Sequence, residues 1–100
     1  MDDEDLVQTV VKAFLWDMPK QIEVMWKCLE TGKTFEAERQ AHSIKGAAAN
    51  VGGERLCAVA FEMEKAARGE NLDEVKSRMA KLGKELDMLT QAITREFITG

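Results

Sequence analysis

The residues best suited to chemistry lie in one short segment, which holds the only histidine of the chain, His42, followed by Lys45 and Gly46. Residues three and four apart on a helix share a face, so the lysine ammonium group and the glycine both lie beside the imidazole ring. Glycine inside a helix costs about 1 kcal/mol relative to alanine. A neutral imidazole is a nucleophile, and the glycine clears space beside it.

The apolar residues of the same segment show which side of the helix faces the core. They recur at intervals of three and four residues: Ala37, Ala41, Ile44, Ala48 and Val51. His42 lies away from this stripe, on the side that carries Glu38, Lys45, Gly46 and Ala49. A core histidine would lie on the stripe, and an ordinary surface histidine needs no glycine beside it. The pattern therefore favours a functional role for His42.

The run from His42 to Gly52 resembles the phosphoacceptor signature of histidine-containing phosphotransfer (HPt) domains, His-x-x-Lys-Gly-x-x-x-x-x-Gly. Phe14 to Pro19 is similar to the family's early F-L-x-D-x-P segment, and Leu56 to Arg68 is similar to its following helix. The resemblance extends from about Glu4 to about Ile93 and so includes nearly the whole chain.

This resemblance implies a phosphorelay carrier of bacterial two-component signalling. His42 is expected to accept a phosphoryl group from a receiver-domain phosphoaspartate and to pass it to a receiver aspartate. No cofactor is expected in this chain, because Mg²⁺ belongs to the acidic pocket of the partner receiver. The resemblance implies no ATP binding and no autokinase activity. The chain is expected to be a whole protein or the last module of a hybrid sensor histidine kinase.

The resemblance also implies a role for each residue near the histidine. Glu64 is expected to accept a hydrogen bond from Nδ1 of His42 and orient the ring, which leaves Nε2 free to attack. Lys45 is expected to neutralise phosphoryl oxygens as a mobile point charge. Four residues are expected to form the receiver docking surface: Gly46, Ala49, Cys57 and Phe61. Gly52 is better explained as a helix stop.

Length and composition exclude several other classes of function. One hundred residues form one small domain, here residues 1–100. A net charge of −4 argues against nucleic acid as a partner. No apolar run is long enough for membrane insertion, and no cluster of histidine and cysteine predicts a metal site. We expect a cytoplasmic monomer whose two thiols, Cys28 and Cys57, are reduced.

Apolar spacing and the positions of glycine and proline predict an all-α fold. We expect an antiparallel up-and-down four-helix bundle at about 19–98, with an additional short N-terminal helix at about 4–16 that ends before Pro19. The four bundle helices are predicted to begin near Pro19, Thr34, Glu54 and Leu72. The last is predicted to be one long helix that reaches Ile98, because its apolar residues keep three–four spacing for more than 20 residues.

Two other functions remain open from the sequence. The phosphoacceptor domain of a chemotaxis kinase has a similar motif and a Glu at the position of Glu64, but receives its phosphoryl group from ATP through a separate kinase module. Phe61 and Asn50 favour the relay form over this one. The chain is alternatively a helical adaptor without phosphotransfer, although such a domain would be expected to have lost His42. An autophosphorylating dimerisation domain is disfavoured, because Ser43 and Ile44 follow the histidine in place of an acidic residue.

Overall fold

The computed structural model describes residues 3–98, with side chains for residues 5–96, and no strand occurs in this part of the chain. The elements are α1 (Asp3–Thr31), α2 (Thr34–Asn50), α3 (Glu54–Arg68), α4 (Leu72–Ser77), α5 (Met79–Ile93) and a final π-helical turn (Thr94–Ile98). The prediction of an all-α bundle is confirmed. No helix among the described residues is long and apolar enough to span a membrane. The ends of the predicted domain, residues 1–2 and 99–100, lie outside the described residues.

Neighbouring helices of the bundle are antiparallel, as their side-chain pairs show. Between α2 and α3 the pairs run in opposite directions along the two helices, from Glu38–Arg68 through His42–Glu64 to Lys45–Phe61. Most of the buried residues of α2 are small, since Ala37, Ala41 and Ala48 are buried beside Ile44. Small side chains let the helix axes approach closely. This packing brings the α2 and α3 side chains at the edge of the contact within hydrogen-bond distance.

The predicted separation of a short N-terminal helix at Pro19 is not confirmed, because α1 continues from Asp3 to Thr31 with Pro19 inside it. Proline inside a helix removes one hydrogen bond and costs about 3 kcal/mol. However, buried apolar residues follow one another on the same face on both sides of the proline: Val11, Phe14, Met18, Met25 and Leu29. Each such side chain contributes about 1.5–3 kcal/mol when buried, so the continuous core face outweighs the cost. Pro19 itself is on the exposed side.

The prediction of one long last helix from Leu72 to Ile98 is wrong at one residue, Arg78. Its φ and ψ of −92° and −4° end α4, and α5 starts at Met79. The amide of Arg78 donates to the carbonyl of Val75, three residues back, in place of the normal α-helical partner. Val75 and Met79 are both buried, so the apolar spacing continues across the interruption and does not reveal it.

The turn between α2 and α3 fixes the end of the histidine-bearing helix. Gly52 has a φ of +72°. Its amide donates to the carbonyl of Ala49, and the amide of Gly53 donates to that of Ala48, the Schellman arrangement that satisfies the last carbonyls of a helix. The predicted helix stop at the two glycines is confirmed. A Cβ atom at Gly53 would lie 2.6 Å from Leu89 Cδ2, so this glycine also allows α5 to pack on the turn.

The turn after α3 has the same arrangement but a different residue at its centre. Glu70 has a φ of +59°, and its amide donates to the carbonyl of Ala67 at 2.9 Å. A residue with a Cβ atom is strained in this left-handed region by about 1–2 kcal/mol. Gly69, directly before Glu70, has a φ of −83°, where any residue fits.

Replacing Glu70 by glycine is therefore expected to stabilise the domain by about 0.5–1 kcal/mol, since relief of the left-handed strain exceeds the added entropy of the unfolded chain. Urea unfolding of Glu70→Gly and of the parent measures the difference. Glu70→Ala is the control, because it removes the same side chain and retains the Cβ atom. Equal stability of the glycine and alanine variants would contradict the strain argument.

Candidate functional site

The imidazole ring of His42 lies on the outside of the α2–α3 pair, with 68% of its side chain exposed. Its Nδ1 atom is 2.8 Å from Oε2 of Glu64 on α3. An ionised carboxylate can only accept a hydrogen bond, so in the neutral ring Nδ1 carries the proton. Nε2 is then left with a free lone pair. The contact places a nucleophilic nitrogen on an exposed face and fixes the tautomer that makes it nucleophilic.

Glu64 is the buried partner in this contact, with only 5% of its side chain exposed. Its second oxygen, Oε1, accepts a hydrogen bond from Nζ of Lys45 at 2.6 Å. Chiefly because of this hydrogen bond, and to a smaller extent because of His42, the pKa of Glu64 lies below its ordinary value, although burial acts in the opposite direction. Glu64 is therefore a carboxylate at neutral pH even though it is removed from water.

Lys45 lies between the buried carboxylate and the exposed face. Its Nζ atom is also 5.0 Å from the centre of the Phe61 ring, and Nζ of Lys65 is 4.7 Å from the same ring. Phe61 is 43% exposed. It lines a shallow groove together with Lys45, Glu54, Cys57 and Ala58. The structure thus brings Lys45, Phe61 and the half-buried Cys57 together in one groove, which Lys45 connects to the carboxylate that contacts His42.

Gly46 and Ala49 are exposed on α2, on the side that also carries His42. Apart from its chain neighbours and the backbone of its own helix, no described atom lies within 4 Å of the position that a Cβ atom on Gly46 would occupy. No packing inside the domain therefore requires a glycine at this position. Among the described residues there is no group of three histidine, cysteine, aspartate or glutamate side chains placed to hold a metal ion.

Comparison with known families accounts for this arrangement of residues. Residues 9–93 match the family model of the Hpt domain. The chain belongs to the Hpt domain family. Members of this family carry phosphoryl groups and interact with response-regulator receiver domains. No curated protein and no solved structure matches the chain.

Two further charged residues of this Hpt domain adjoin the site, and the sequence analysis assigned a role there to neither of them. The guanidinium group of Arg68 lies 3.7 Å from Oε2 of Glu64 and is held by Glu38, whose Oε2 accepts from its Nε at 2.9 Å. Arg68 lies four residues after Glu64 and Glu38 four residues before His42. Helical spacing alone thus places Arg68 beside Glu64 on α3 and Glu38 beside His42 on α2. The contact between Arg68 and Glu38 depends on how α2 and α3 pack.

The lowered pKa of Glu64 predicts a pH dependence of stability. A group whose pKa falls on folding stabilises the native state above its unfolded pKa, and this contribution is lost as pH falls through the folded value. Unfolding free energies of the parent and Glu64→Gln should therefore differ by about 1–3 kcal/mol at pH 7 and converge as pH falls below about 4.5, the ordinary value. Urea unfolding at a series of pH values measures this.

Glu62→Gln is the matched control, because Glu62 is on the same helix and pairs with Lys65 at 3.0 Å in an exposed position. Exposed pairs contribute about 0–1 kcal/mol, so this variant should follow the parent closely at every pH. A constant gap between Glu64→Gln and the parent from pH 7 to pH 3 would contradict the ionised state of Glu64.

Proposed function

We propose that His42 is the phosphoacceptor of this Hpt domain and that the domain is a relay between receiver domains. His42 takes a phosphoryl group from a receiver phosphoaspartate and gives it to a receiver aspartate. The observation that carries the proposal is the 2.8 Å contact between Nδ1 of His42 and Glu64, since it leaves Nε2 unprotonated on a side chain that is 68% exposed.

The transfer is a displacement at phosphorus. The lone pair of Nε2 attacks the phosphorus atom, the new N–P bond forms, and the bond from phosphorus to the aspartate oxygen breaks and leaves a carboxylate on the receiver. The ring keeps its proton on Nδ1 and gains a positive charge, which the buried carboxylate of Glu64 stabilises. The same steps in reverse pass the phosphoryl group to the next receiver. Mg²⁺ bound in the receiver supplies the remaining charge neutralisation.

Lys45 is proposed to neutralise the phosphoryl oxygens as they arrive. Its Nζ atom is bound to Glu64 at 2.6 Å, and 26% of its side chain is exposed. A lysine side chain rotates freely about its methylene groups, so the ammonium group can move from the carboxylate towards a phosphoryl group on the outer face. Glu64 therefore positions the ammonium group of Lys45 near the outer face and also orients the His42 ring.

The proposal predicts that His42→Gln folds as the parent does and accepts no phosphoryl group. The test is incubation with a receiver domain that has been phosphorylated by acetyl phosphate and Mg²⁺, followed by detection of acid-labile, base-stable label. Ser43→Ala is the control, because Ser43 is the exposed neighbour of His42 and its hydroxyl donates to Gln21 on α1 at 3.0 Å. Label on His42→Gln would contradict the assignment. Label on the parent from ATP and a kinase module, with none from any receiver, would favour the chemotaxis-type donor.

Gly46 is proposed to clear space for the receiver, and a second helix glycine provides a test. Gly83 lies inside α5, and a Cβ atom there also meets no described atom within 4 Å. Alanine at either position is expected to stabilise the domain by about 0.5–1 kcal/mol. Gly46→Gln should abolish transfer from the receiver, whereas Gly83→Gln should transfer at the parent rate. The test measures the transfer rates of the two glutamine variants. Transfer by Gly46→Gln at the parent rate would contradict a role for Gly46 in receiver docking.

A further inference from the structure

A second groove adjoins His42 on the side away from Phe61. It is lined by Phe35, Glu38, Arg39, His42, Ser43 and Glu64. The expected docking surface, around Gly46 and Phe61, lies on the other side of the ring. His42 borders both surfaces, and the two share no other residue. The phosphoacceptor is therefore at the meeting point of two exposed surfaces.

Phe35 is the apolar wall of this groove and is 67% exposed. The guanidinium carbon of Arg39, one turn later on α2, lies 5.9 Å from the centre of the Phe35 ring. An exposed pair of this kind contributes about 0.2–0.5 kcal/mol to a helix. The stability of the domain therefore does not account for a phenylalanine at this exposed position.

Arg39 also differs from other arginines of the domain in its charge environment. Arg55, Arg68 and Arg78 each lie within 4 Å of a carboxylate, with separations of 3.9, 2.9 and 3.0 Å. No such carboxylate lies near Arg39 in the part of the chain that the structure describes. In a chain of net charge −4, an uncompensated cation beside the acceptor histidine attracts an acidic partner to this face.

The size of a protein interface places Phe35 within reach of any receiver that reaches His42. Even a small transient interface buries about 600 Å² on each partner, a patch of about 14 Å radius. Phe35 is seven residues before His42, two helical turns, or about 10 Å along the same face of α2. A receiver centred on His42 therefore also covers Phe35 and Arg39.

We propose that Phe35 and Arg39 form a second receiver contact, which selects receivers whose phosphoaspartate pocket is bordered by a loop with an apolar side chain beside an acidic one. The apolar side chain packs on the Phe35 ring, and the carboxylate pairs with Arg39. This inference rests on the proposed relay function.

The test compares Phe35→Ala, Arg39→Glu and the double variant with a matched pair on α5, a helix that contributes no residue to the His42 groove. Met88 is 46% exposed, and Lys84 is exposed one helical turn before it. Met88→Ala and Lys84→Glu thus remove an exposed apolar side chain and reverse an exposed positive charge away from His42. For each variant, the transfer rate from an acetyl-phosphate-charged receiver is measured against domain concentration. Labelling by phosphoramidate, a donor too small to need docking, reports the intrinsic reactivity of His42.

Phe35→Ala and Arg39→Glu are expected to raise the half-saturating concentration roughly tenfold at low salt, as loss of an apolar anchor or a rim charge does. The maximal rate and the phosphoramidate labelling should stay within about twofold of the parent, because the groups that act on phosphorus are untouched. The effect of Arg39→Glu should shrink in 0.5 M NaCl because salt screens exposed charges. The two α5 variants should match the parent.

Two results separate the inference from the proposed function. The Phe35–Arg39 contact would be overturned, with the relay left in place, if the double variant had the half-saturating concentration of the parent. It would also be overturned if the α5 controls lost as much as the Phe35 and Arg39 variants. A parent domain that is labelled by phosphoramidate but by no receiver in a panel would overturn both. A charge swap tests the pair directly: the acidic loop residue of a receiver is changed to lysine and assayed with Arg39→Glu. Restored transfer would identify that residue as the partner of Arg39.

Discussion

The site depends on one buried carboxylate. Glu64 has 5% of its side chain exposed and is in contact with His42 through one oxygen and with Lys45 through the other. A carboxylate removed from water is strongly unfavourable unless cations and hydrogen-bond donors surround it. Lys45, the ring proton of His42 and the nearby Arg68 meet this requirement. The same contacts that make burial of Glu64 tolerable also fix the histidine tautomer and hold the lysine in place.

This arrangement requires α2 and α3 to pack closely and in register. Three of the four buried residues of α2 are alanines, and such small side chains let the helix axes approach closely. The turn at Gly52 and Gly53 sets the register, because its hydrogen bonds close the end of α2 directly before α3 begins. Since helix side chains on a shared edge meet every three or four residues, a shift by one residue would move Glu64 away from the ring.

The surface around His42 combines small, aromatic and basic residues in an otherwise acidic domain. Gly46 presents bare backbone, and Phe61 and Phe35 present exposed rings on opposite sides of the histidine. Lysine or arginine side chains lie over both rings. A chain with a net charge of −4 repels acidic partners over most of its surface, so local positive charge favours an approach that brings the reacting groups together.

The sequence alone determined the features that depend on local spacing. The all-α fold, the buried stripe of α2 and the neighbouring positions of His42, Lys45 and Gly46 all follow from residues three to four apart.

Tertiary structure decided where helices continue or end and which side chains meet between helices. Helix α1 continues through Pro19 because core burial outweighs the lost hydrogen bond, and α4 ends at Arg78 without a change in apolar spacing. The contact of Arg68 with Glu38 joins two separate helices. Glu64 is buried and ionised because helix packing surrounds it with cations, and sequence periodicity carries no information about that packing.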